Sequence, residues 1–124
     1  MVRIDSNRHT GSVESAPTFP RDDNGDVLRR MHRDGDDLSK PRDIDFTVVM
    51  PTLAAAEELG QRMRTQGHAV KVTRTACVAH LPWDVRIVKH MLPTHADIGA
   101  FEEELAVLAA PQGGRNDGWG CWAQ

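Results

Sequence analysis

Apolar residues fall at alternate positions from Ile44 to Met50, where Ile44, Phe46, Val48 and Met50 alternate with Asp45, Thr47 and Val49. That is the period of a strand with one core face. After Pro51 the period changes. Leu53, Ala56, Leu59 and Met63 recur at three to four residues and predict a helix with one buried stripe, capped by Thr52 and closed by Gly67. Alternation returns from His68 to Thr75, with Val70 and Val72 on one side and Lys71 and Thr73 on the other. Ala76 to Pro82 connect it to a third strand. There Trp83, Val85, Ile87 and Met91 share one face, and Asp84, Arg86, Val88 and His90 share the other. Pro93-Thr94 opens a second core helix, with Thr94 and Asp97 at capping-box spacing and Ile98, Phe101, Leu105 and Leu108 as its stripe. Pro111 and Gly113-Gly114 end it. Asp117-Gly118 reads as a turn, and Trp119 to Trp122 as a short final strand.

Ahead of this array, Asp22-Asp23-Asn24 supplies helix-start chemistry, Val27, Leu28 and Met31 make a short stripe, and Gly35 is a natural stop. Residues 1–20 lack apolar periodicity and read as a disordered N-terminal tail, leaving 21–124 as the folded domain. Phe19 is placed to anchor the end of that tail. After the first helix the order is strand-helix-strand-strand-helix-strand. It predicts an α+β domain of the ferredoxin-like, split βαβ plan, with an extra N-terminal helix. Two helices would cover one face of a four-stranded antiparallel sheet, and the other face would be solvated or used.

Charge and cysteine content narrow the function. The 124 residues carry 15 Lys and Arg against 18 Asp and Glu, a formal charge of −3. A dedicated nucleic-acid binder would carry a basic excess. The outward positions of the two central strands offer no aromatic side chain on which a base could stack, so no direct nucleic-acid binding is expected. Cys77 and Cys121 are too few for a secreted disulfide framework, and the expected compartment is the reducing cytoplasm. No apolar stretch approaches the roughly 20 residues needed to cross a bilayer.

Candidate chemistry is thin. Cys77 and His80 are spaced C-x2-H, with His90 and His95 downstream, but a second paired set of ligands is missing. No metal or cofactor is therefore expected. Cys121 has no base beside it in sequence, Glu102-Glu103-Glu104 reads as a solvated helix face, and Gly113-Gly114 follows a helix rather than opening one. No catalytic residue emerges.

The remaining signal lies at the end of the chain. Aromatics are only 5 % of the sequence, yet two of its three Trp fall in the last six residues. In a strand, Trp119 and Trp122 point to opposite faces, so one can plug the core while the other stays available to a partner.

The segment Asp117-Gly118-Trp119-Gly120, closing such a pattern, resembles the RraB family, the regulators of ribonuclease E activity B. Asn24-Gly25-Asp26-Val27-Leu28 and Gly35-Asp36 look like the family's first helix and following loop. Pro41-Arg42-Asp43-Ile44-Asp45-Phe46 looks like its first strand. Met91-Leu92-Pro93-Thr94-His95 and the helix ending at Gly113-Gly114 are similar too, so the likeness covers about residues 20–122. The sequence stops at Gln124, short of the strongly acidic tail that the best-known members carry.

The resemblance implies a small cytoplasmic protein that binds ribonuclease E and lowers its endonuclease activity without doing chemistry itself, thereby altering RNA decay. Its contact surface is expected at Asp117, Gly118, Trp119, Gly120 and Trp122, with Arg86, Val88 and His90 on the open sheet face, and at the first helix. It would act as a monomer or homodimer, away from membranes. The alternative is a small-molecule binder or enzyme with a pocket near Trp83, His90, His95 and Asp117.

Overall fold

The structure, a computed structural model, describes residues 2–3, 19–75, 80–122 and 124. In chain order the elements are β1 (Val2–Arg3), α1 (Asp23–Arg33), β2 (Arg42–Met50), α2 (Leu53–Thr65), β3 (Ala69–Arg74), β4 (Trp83–Met91), α3 (His95–Ala109), a 3-10 turn (Ala110–Gln112) and β5 (Arg115–Cys121). Each helix starts on a side-chain cap. Asp22 accepts from the Gly25 amide at 2.7 Å, and Thr52 and Thr94 accept from the Ala55 and Asp97 amides at 3.1 Å. These bonds satisfy amides that the helix itself leaves unpaired.

The domain is α+β. Four antiparallel strands lie in the order β5-β2-β4-β3, and the two-residue β1 adds to the outer edge of β5. Helix α2 packs against β3 and β4, and α3 packs against β5 and β2. Between sheet and helices, Ile44, Phe46, Val48 and Met50 of β2 meet Leu59, Met63, Ile98, Phe101 and Leu105. Phe46 and Phe101 touch edge to face with ring centres 4.7 Å apart, an arrangement that aligns the positive ring edge with the negative face. Val27, Leu28 and Met31 bring α1 into the same core.

Two local features differ from expectation. Asp117-Gly118 is not a turn before a short strand. β5 already begins at Arg115 and runs through it. Phe46 pairs with Trp119 and Val48 with Asn116, so Thr47 faces both Asp117 and Gly118 across a β-bulge. Gly118 has φ +100°, which a residue without Cβ adopts at no steric cost. A turn and a bulge call for the same residue types, so the dipeptide alone does not separate them. The outward face of β2 also differs, because Thr47 and Val49 are buried there. Val49 sits directly between Asp84 of β4 and Arg115 of β5.

Within the segment read as a tail, Val2 and Arg3 pair with Cys121 and Gly120, and residues 4–18 lie outside the described residues. The helix after β4 ends in a tight passage. A Cβ on Gly114 would overlap Met50 Sδ and the Val49 carbonyl, so the chain can reach β5 here only as glycine. Among the described residues, no helix is long and apolar enough to cross a membrane.

Candidate functional site

The start of β5 is tied to both flanking helices by one polar network. Trp119, wholly buried on the helix side of the sheet, donates from Nε1 to Asn24 Oδ1 at 2.8 Å. Asn24 in the first turn of α1 donates in turn to Glu102 Oε1 of α3 at 2.7 Å. Asn116 of β5 donates to the other carboxylate oxygen, Glu102 Oε2, also at 2.7 Å. A single carboxylate thus accepts from two elements at once, and these charge-assisted bonds are the stronger kind. Asn116 Oδ1 is buried without a hydrogen-bond partner among the described residues. Glu102 therefore does not belong to a solvated helix face. It sits between Ile98 and Leu105, one residue after Phe101, at the flank of the buried stripe. That flanking position is the signal in the sequence that marks it.

The end of β5 is held by a second cluster. Arg42 and Asp36 form a buried ion pair at 2.7 Å. Arg42 also donates to the Trp122 carbonyl at 3.1 Å and the Asp37 carbonyl at 2.9 Å. Asp36 accepts from the Gln124 amide at 3.2 Å, and the Asp37 amide donates to the Gln124 carbonyl at 3.0 Å. Burial works against the charge on Arg42, but Asp36 outweighs it and raises the guanidinium pKa further. Burial pushes the thiol of Cys121 up, with Arg42 opposing it only in part. A buried thiol held in its neutral form is a poor nucleophile. The sequence does mark Arg42, which has the same strand parity as Ile44 and Phe46 and so is a charge at a core-facing position.

Trp122, by contrast, is 67 % exposed. Its backbone carbonyl is fixed by Arg42 while its ring stands in solvent. Near it on the outer face, His90 donates from Nδ1 to Asp43 at 3.0 Å, with both side chains largely exposed. His95 donates to Asp22 at 2.8 Å and so joins the starts of α3 and α1. Burial would raise the Asp22 pKa. The Gly25 amide and His95 more than offset that and hold its carboxyl below the usual range. The pKa of His68 is pushed down by burial and by Lys89.

Of the residues expected to bind a partner, Arg86, His90, Asp117 and Trp122 are exposed, whereas Trp119 and Gly120 are buried and Gly118 is half-buried at the bulge. The structure does not gather Trp83, His90, His95 and Asp117. Trp83 opposes Met50 and His90 opposes Asp43, near opposite ends of β4 and on opposite faces. Seven residues of strand separate them by roughly 23 Å. Cys77 lies outside the described residues. Among those described, no three His, Cys, Asp or Glu side chains come together as metal ligands would.

The buried polar groups described above are thus spent on joining the protein's own elements, which makes this a small α+β domain organised around a firmly held terminal strand. Over residues 21–121 the chain matches the model of the RraB family, regulator of ribonuclease activity B, and it belongs to that family. No curated protein matches the sequence. The family is one of regulators of ribonuclease activity.

Proposed function

We propose that this protein is a non-catalytic regulator that binds ribonuclease E and lowers its endonuclease activity, and so slows RNA decay in the cytoplasm. The observation that carries this reading is the family match over residues 21–121. The strand order β5-β2-β4-β3, with α2 and α3 as its connecting helices, supports a ferredoxin-like plan preceded by α1. The folded domain is 21–124, acting as a monomer or homodimer. Trp122 is the anchor of the contact surface. A large aromatic held rigid by its backbone loses little freedom on binding, which is the character of an interface hot spot. His90, paired with Asp43, lies at the same end of the sheet. Arg86 and Asp117 both face Thr47 further along it, and all three extend the surface as polar positions. The bulge at Asp117-Gly118 and the buried Gly120 set the course of the strand.

The test is direct. Purified protein is added to ribonuclease E from the same organism and to a fluorescent RNA substrate. Cleavage slows in proportion to complex formed, and calorimetry shows the complex. An unchanged cleavage rate with no heat of binding ends this reading.

A further inference from the structure

We propose that the free edge of β3 docks an acidic, extended segment of a partner protein, which adds to the sheet as a further strand. This goes beyond the reading above and does not require the partner to be ribonuclease E.

The first support is backbone direction. Among the described residues, β3 pairs with β4 on one side only and is the last strand of the sheet. The Thr75 amide donates to the Pro82 carbonyl at 2.7 Å, which turns odd-numbered residues of this segment toward β4. Alternation then points the N–H and C=O of Val70, Val72 and Arg74 outward. Arg64 marks the same direction, because its Nη2 donates to the Val70 carbonyl at 3.3 Å. Ala69, Lys71, Thr73 and Arg74 are exposed. An incoming strand would replace Arg64 at Val70 and free its guanidinium for a carboxylate.

Charge then selects the strand. Residues 61–75 carry Arg62, Arg64, Lys71 and Arg74 and no acidic residue, although the chain as a whole is acidic. On the outer face Lys71 stands directly opposite Arg86. Like charges facing each other across a strand pair are destabilising, and a carboxylate laid beside them relieves that. The two basic residues line a hollow of about 120 Å³ with Thr73 and Asp84. Asp84 opposes Thr73 on the same face, so the acidic position of the guest belongs beside Lys71, while Arg74 lies on the other face over the Trp83 ring.

Other occupants fit less well. Two copies of this chain joined at β3 would bring Lys71, Arg74 and Arg64 of each against those of the other, and a lysine on an edge strand discourages such pairing. RNA would want stacking surfaces, and the outward positions Asp84, Arg86, Val88 and His90 supply no Trp, Phe or Tyr. An acidic strand uses both the backbone edge and the charge, as in strand-addition recognition.

The full chain is titrated with a ten-residue peptide of alternating Glu and Thr, with the same peptide carrying Lys for Glu, and with a single-stranded RNA, reading amide shifts by NMR. The Glu peptide shifts and protects the amides of Val70, Val72 and Arg74, and salt weakens it. Lys71→Glu and Arg86→Glu, both surface changes, each weaken it about tenfold. Equal response to both peptides, no response at millimolar peptide, shifts away from β3, preference for RNA, or self-association through β3 in sedimentation would each overturn the proposal. Inhibition of ribonuclease E without a peptide response removes this proposal alone. A peptide response without inhibition removes the preceding reading alone.

Discussion

Trp119 and Trp122 are the same residue type in one segment, yet one is wholly buried and the other is 67 % exposed. Trp119 fills the core against Phe46 and spends its only polar atom on Asn24. Trp122 lies past the end of the strand and contributes its backbone carbonyl, not its ring, to the fold. Both positions are nevertheless made rigid, by different chemistry. The first rests on apolar burial completed by a network of two amides and one carboxylate. The second rests on a buried ion pair whose arginine also gathers backbone carbonyls. On the proposed reading, stability rests on Trp119 and recognition on Trp122, and the two should separate cleanly.

The largest effect is expected at Trp119. Trp119→Ala removes the biggest buried side chain and orphans Asn24 Oδ1, so it should cost about 3–5 kcal/mol in urea unfolding. Arg42→Ala comes next. It strands the buried Asp36 carboxylate, which among the described residues keeps the Gln124 amide, and should cost about 3 kcal/mol, with loosening of the Trp122 backbone seen as faster amide exchange. Glu102→Gln should cost about 1–3 kcal/mol, because one amide then faces an NH₂ group in place of an acceptor oxygen. The smallest change in stability is expected from Trp122→Ala, within about 0.5 kcal/mol of the parent. The same variant should lower ribonuclease E binding about tenfold or more in calorimetry. A large stability loss at Trp122, or a large binding loss at Trp119 without unfolding, would erase the contrast.

Much of this fold was legible along the chain because it rests on local periodicity. The alternation from Ile44 to Met50 predicts β2, and the stripe from Ile98 to Leu108 predicts α3; both match the structure. Thr52 and Thr94 cap their helices as their spacing suggests. The candidate site was legible only in part. Opposite orientation of Trp119 and Trp122 follows from strand geometry, but which of them meets the core does not. The roles of Asn24, Asn116 and Glu102 arise between residues 14 to 95 positions apart, which no local pattern encodes. The bulge at Asp117-Gly118 was hidden for another reason, since glycine at positive φ serves a bulge and a turn alike.

Alternation and spacing, which act over one turn or one pleat, were enough to set the order from α1 to β5, the core stripes and the helix caps. Contacts between distant elements settled the rest: which tryptophan is core, that Glu102 joins α1 to β5, and that Arg42 is buried against Asp36. The physical reason is range. Secondary structure follows from neighbours in sequence, whereas burial and ion pairing depend on what another element brings to the same point in space.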